Sequence, residues 1–165
     1  KAPLRDESGR IVPTFPRART IIQRGEWEAA LRPTERDRAS YLSDNFLPLQ
    51  EAGLVELVDG DREVTPGVEV VVTPGHTRRH QSVEIRGGGR TLHFLGDLVP
   101  TAAHLRPAYI MSYDLFPLET LETRKGLYER AVAGDWILGF VHDPVHFFGR
   151  VRKTDSRYEF APISN

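Results

Sequence analysis

Three short apolar runs, each ending at a residue able to hold a metal, constrain this chain more than anything else in it. Val68 to Thr73 leads into Pro74-Gly75-His76, Thr91 to Leu95 into Gly96-Asp97, and Trp136 to Val141 into His142-Asp143-Pro144. Runs so rich in Val, Ile and Leu read as buried strands, which need other layers packed over them. In helix-flanked sheets, ligands collect at the carboxyl ends of strands, because side chains there leave the core at a common rim. Glycine before His76 and Asp97 lets the backbone turn sharply while the next side chain points into the cleft. Two imidazoles and one carboxylate on one rim form a metal triad, and the carboxylate can bridge two ions. Each residue also has a plainer reading, as a loop histidine or as a Gly-Asp turn.

The rest of the chain supplies the layers. Ala18 to Gln23 predicts a strand, and Arg24 to Leu31 a helix with Trp27, Ala30 and Leu31 on one face. Pro33-Thr34 breaks that helix, Thr34 with Asp37 forms a loose capping box, and a second helical stretch runs from Glu35 to Leu42. A further turn or two is expected between Asn45 and Ala52. Leu54 to Val58, the turn signal Asp59-Gly60 and Arg62 to Val64 read as a hairpin, and Gly87-Gly88-Gly89 joins a second one. Pro117 to Ala133 predicts the longest helix, with proline in its first turn and Gly134 at C′. Phe147 to Arg152 and Tyr158 to Phe160 complete the sheet. Residues 1–18 read as an irregular connection. The pattern is α/β, a helix-flanked mixed sheet.

Composition narrows the chemistry. With 165 residues the chain is long enough for one domain, 1–165, and too short for two ordinary ones. Apolar residues at 39% and charged residues at 27% predict a soluble globular protein. No apolar run approaches a membrane span, and Lys1 to Asp6 contains no leader-like segment, so a cytoplasmic location and no membrane partner are expected. The net charge is −1 with both signs interspersed, which argues against nucleic acid as a partner. There is no cysteine, which excludes disulfides, a thiol nucleophile and thiolate metal sites. A bound metal would be held by imidazole and carboxylate, as suits zinc, iron, manganese or cobalt.

The literal motifs resemble a known family. Thr73-Pro74-Gly75-His76-Thr77, then His80 and Ser82, then Leu95-Gly96-Asp97 and a strand ending in His142 are similar to the second half of the metallo-β-lactamase superfamily signature. The resemblance runs over residues 68–146. It extends upstream through Pro13-Thr14-Phe15-Pro16 and Gln23-Arg24-Gly25-Glu26-Trp27, which look like lactonase-like members. It implies a partial αββα fold in which His76 binds one metal, Asp97 bridges two and His142 binds the other. It also implies two divalent ions, zinc first, with iron or manganese as alternatives. Arg79 stands where the family places a glycine. The family's His-x-His-x-Asp-His motif does not occur in the chain. The expectation is therefore a C-terminal portion of the fold, whose site and apolar sheet face are completed by a preceding segment or a partner copy.

The remaining polar residues divide by place. His80 and Asp143 are expected to support the ligands, since ligating imidazoles need orienting partners. His104 and Tyr109 are expected to contact substrate, and Tyr113 and Asp114 could line the same rim. His93 inside a strand reads as structural, and His146 as a surface residue. The function implied is hydrolysis of a small ester or lactone by a metal-bound hydroxide, with Asp97 catalytic. Pro100 stands where some lactonases carry a tyrosine, so assistance by such a tyrosine is not supported, which weakens a specific assignment to acyl-homoserine lactones. Two other readings stay open: an iron-dependent sulfur oxidoreductase of the same fold, and a non-catalytic subunit with an incomplete site.

Overall fold

A computed structural model describes residues 4–155 and 157–163, so residues 1–3 of the predicted irregular connection lie outside the described residues. Chain contacts divide the molecule into two compact units, Lys1–Asp59 and Gly60–Asn165.

In the first unit, strand β1 (Thr20–Gln23) pairs in parallel with β2 (Val55–Val58), in register from Thr20 opposite Val55 to Gln23 opposite Val58. A parallel pair requires a crossover. Helices α1 (Arg24–Leu31) and α2 (Leu47–Glu51) lie within it. Trp27 of α1 is buried and meets Phe46 edge-on, with ring centroids 5.3 Å apart.

Three expectations are corrected here. The segment 35–42 makes turns rather than a helix. Asp37 turns back to accept hydrogen bonds from the Thr34 amide at 2.6 Å and hydroxyl at 2.8 Å, so a local side-chain loop competes with helix propagation. Leu31, expected on the buried face of α1, is 48% exposed. The hairpin expected through Asp59-Gly60 does not form: β2 pairs with β1, and Arg62–Thr65 takes Val68–Val72 as its antiparallel partner instead.

The second unit is built on a seven-stranded sheet in the order β3 (Arg62–Thr65), β4 (Val68–Val72), β5 (Gln81–Gly87), β6 (Arg90–Phe94), β7 (Ile137–Gly139), β8 (Phe148–Thr154) and β9 (Arg157–Pro162). Neighbours are antiparallel except β6 and β7, which are parallel. The crossover between those two contains α3 (Pro117–Ala133). Leu127, Tyr128 and Ala131 of α3 are at most 1% exposed and share a core with Leu138 of β7 and Val151 of β8. Burying each such leucine contributes roughly 1.5–3 kcal/mol. Leu118, in the first turn of α3, is by contrast 78% exposed, although its helical spacing with Leu121, Leu127, Tyr128, Ala131 and Val132 predicts the core face.

At the end of α3 the left-handed residue is Asp135 (φ 48°), not the predicted Gly134. The amide of Trp136 donates to Ala131 and that of Asp135 to Val132, the paired bonds of a Schellman motif with Asp135 at C′. Elsewhere on the unit, Ile85, Leu92, Ile137, Val145, Phe147 and Phe148 line an open apolar groove of about 870 Å³. Among the described residues, no helix is long and apolar enough to cross a membrane.

Candidate active site

Strand directions bring the three predicted residues together. β4 is antiparallel to β5 and β5 to β6, while β6 is parallel to β7. Strands β4, β6 and β7 therefore run the same way, and the segments carrying His76, Asp97 and His142 leave the sheet at one rim. There His142 Nε2 lies 3.1 Å from Asp97 Oδ1, and His76 Nε2 lies 3.8 Å from Asp97 Oδ2. One carboxylate thus meets an imidazole at each oxygen.

His76 is placed by its neighbours in sequence and in space. Gly75 sits at φ 137°, and a Cβ there would lie 2.4 Å from the backbone nitrogen and Cα of Thr120. Only glycine lets the turn press this closely on α3. The carbonyls of Gly75 and His76 accept from the amides of Phe116 and Leu115. His76 Nδ1 lies 2.9 Å from Oδ1 of Asp114, whose side chain is fully buried. The other oxygen of Asp114 accepts from the Thr120 hydroxyl at 2.8 Å. A carboxylate facing Nδ1 selects the tautomer with the proton on Nδ1 and the lone pair on Nε2, toward the rim.

Asp97 is held through its backbone. Its amide donates to His80 Nε2 at 3.1 Å. His80 Nδ1 lies 3.1 Å from the carbonyl and 2.9 Å from the hydroxyl of Thr73. An imidazole that accepts at Nε2 and donates at Nδ1 is neutral, and here it ties the end of β4 to the Asp97 loop. Gly96, at φ 56°, allows this contact, because a Cβ there would stand 2.7 Å from His80 Nε2.

His142 presents a 61% exposed side chain, and its amide donates to Pro100. Asp143, beside it, organises backbone. Its Oδ2 accepts from Ala102, and its Oδ1 accepts from Val145 and His146. Burial pushes the Asp143 carboxyl up, but these three amides outweigh that and hold it below the usual carboxylate range.

The predicted substrate contacts lie in the loop after Asp97. His104 Nδ1 is 2.7 Å from the Thr101 hydroxyl. The Tyr109 hydroxyl accepts from Arg106, and its ring helps line a groove of about 850 Å³ with Lys125, Lys153 and Tyr158. None of the three rim residues is among the described residues lining that groove. His93 is buried between the Ser82 hydroxyl and the Glu84 carboxylate, and His146 packs on Phe160 with ring centroids 4.9 Å apart.

The donor set fits a divalent cation. Imidazole and carboxylate without thiolate suit zinc, iron or manganese, and a carboxylate behind one imidazole is the partner that metal-bound histidines use. The set is open, however. Among the described residues no group of three or more His, Asp or Glu side chains has the mutual placement of a finished cage, and the rim donors are linked pairwise through Asp97.

No family model matches the chain. An N-acyl homoserine lactonase from Bacillus thuringiensis is 42% identical over 65 residues, which make up 39% of this chain and 23% of the relative. A probable metal-dependent hydrolase from Staphylococcus aureus superposes with a TM-score of 0.80 over 98% of this chain and 57% of its own, at 22% identity. AidC, a dizinc quorum-quenching lactonase bound to a product, N-hexnoyl-L-homoserine, also gives 0.80, over 98% of this chain and 59% of its own, at 17% identity. The chain thus spans under a quarter of the curated relative it matches and a little over half of these structural neighbours. The chain has the metallo-β-lactamase fold, and over 65 residues it is similar to an N-acyl homoserine lactonase.

Proposed function

We propose that this chain contributes to a metal-dependent hydrolase that opens a lactone or small ester, with His76, Asp97 and His142 among the ligands of two divalent cations, zinc first. The observation that carries the reading is the single carboxylate of Asp97 facing His142 at one oxygen and His76 at the other. Bound divalent cations would supply a water acidified to near neutral pH and would polarise the substrate carbonyl.

The protein's own share is placement. Asp114 keeps the Nδ1 proton of His76 turned away from the rim, and His80 fixes the backbone from which Asp97 projects. Asp97 can hold the proton destined for the leaving group. Three side chains donate at most four atoms, fewer than two ions require, so the reading needs further donors. A preceding segment bearing the His-x-His-x-Asp-His pattern, or a partner copy, would provide them.

A lactone substrate is supported by the name of the relative matched over 65 residues, an N-acyl homoserine lactonase. The test is ring opening of an N-acyl homoserine lactone and of a simple aryl ester by zinc-loaded protein, followed by proton release. Activity abolished by a chelator, restored by zinc and lost in Asp97→Asn supports the reading. Hydrolysis that survives both the chelator and the substitution contradicts it.

A further inference from the structure

One buried cation in the second unit is hydrogen-bonded to backbone carbonyls and, among the described residues, is ion-paired with no carboxylate. The side chain of Arg124, in α3, is wholly shielded from solvent. Its Nε donates to the Leu98 carbonyl at 2.7 Å, one residue beyond Asp97. Its Nη1 lies 2.7 Å from the Tyr109 carbonyl, 3.2 Å from that of His104 and 3.3 Å from that of Pro107. The 98–109 segment contains only short 3-10 turns, and this guanidinium gathers four of its carbonyls. A buried guanidinium is costly to desolvate, and here carbonyl acceptors offset that cost; an apolar side chain of similar volume would leave those carbonyls without this donor. The planar fork of arginine suits several acceptors at fixed angles, so the contacts fix the path of the segment.

The same turn of α3 holds the other half of the rim. Thr120 donates to Asp114, the partner of His76, and Thr123 donates to the Pro74 carbonyl at 2.8 Å. Thr120 and Thr123 therefore anchor the His76 side, and Arg124 anchors the Asp97 side.

We infer that Arg124 is a positioning residue that sets Asp97 against His76 by anchoring the 98–109 segment to the helix face that already holds the His76 loop. This rests on the reading of that rim as a metal site, and the test separates the two. Arg124→Met keeps the volume and removes the donors, whereas Arg124→Lys keeps the charge and removes the fork. Glu122→Gln, an exposed change on the same helix, is the reference.

Two quantities are read for each variant: amide hydrogen exchange of the 98–109 segment without metal, and cobalt(II) affinity from the visible absorption spectrum. Arg124→Met is expected to exchange on the order of tenfold faster in that segment and to bind cobalt about tenfold or more weakly. Arg124→Lys should fall between it and the parent, and Glu122→Gln should match the parent. Unchanged exchange, or faster exchange with unchanged cobalt affinity, overturns the inference. If Arg124→Met does not fold, the same two readings on Arg124→Lys decide. If the parent takes up no cobalt, the metal reading fails, and the exchange result alone still supports or overturns the anchoring role of Arg124.

Discussion

Nδ1 of His76 lies 2.9 Å from the buried carboxylate of Asp114, and that bond orients the imidazole at the rim. Asp114→Asn replaces a pure acceptor with an amide that can also donate, so the preferred His76 tautomer is no longer enforced. Zinc affinity is expected to fall by about 10- to 100-fold with the fold intact. Competition against a chromophoric chelator, with circular dichroism as the fold check, measures it. Equal affinities would show that Asp114 does not orient His76.

Two glycines should respond in opposite directions. Gly75 has a positive φ and abuts the Thr120 backbone, so Gly75→Ala is expected to lower stability by about 1–3 kcal/mol or more. Gly126 lies inside α3, and a Cβ there would meet nothing within 4 Å. Gly126→Ala is expected to raise stability by roughly 0.5–1 kcal/mol, because alanine loses less backbone entropy in a helix. Urea unfolding of both variants checks the pair.

Acid should destabilise the sheet through His93. Its ring is fully buried, stacked on Trp136 and set between Ser82 and Glu84. Burial holds its pKa below the ordinary histidine value, with Glu84 pulling the other way. As pH falls below about 6.5, the unfolded chain takes a proton that the folded ring refuses. The unfolded state then binds more protons, so this contribution is present above that pH and is lost as pH falls toward the lower folded value. The slope is at most about 1.4 kcal/mol per pH unit. Unfolding free energies at about pH 7.5 and about pH 5.5 should differ more in the parent than in His93→Gln. Equal differences would remove His93 as the cause.

How much of this was legible in the sequence depended on whether the information was local. α1 and α3 occupy the predicted ranges, because helical spacing and Pro117 are read within a few residues. The pairing of β1 with β2 was not legible, since Asp59-Gly60 carries a turn signal whichever strand β2 joins. The helix expected over 35–42 lost to the side chain of Asp37, a competition that propensity does not register.

At the rim, the three strand ends pointed to His76, Asp97 and His142 because one glycine or one strand end marks each. Asp114 could be seen only as a possible rim residue, because its bond to His76 spans 38 positions. Arg124 left a weaker trace still. An arginine among Leu121, Leu127 and Tyr128 usually carries its head out to water, and only the winding of the 98–109 segment reveals a different use.

The most direct test of the central claim is X-ray diffraction from zinc-soaked crystals, recorded on both sides of the zinc absorption edge. An anomalous peak is expected at the rim, about 2.0–2.2 Å from Nε2 of His76 or His142 and from a carboxylate oxygen of Asp97. No peak at that rim, or zinc bound only elsewhere on the molecule, would contradict the account.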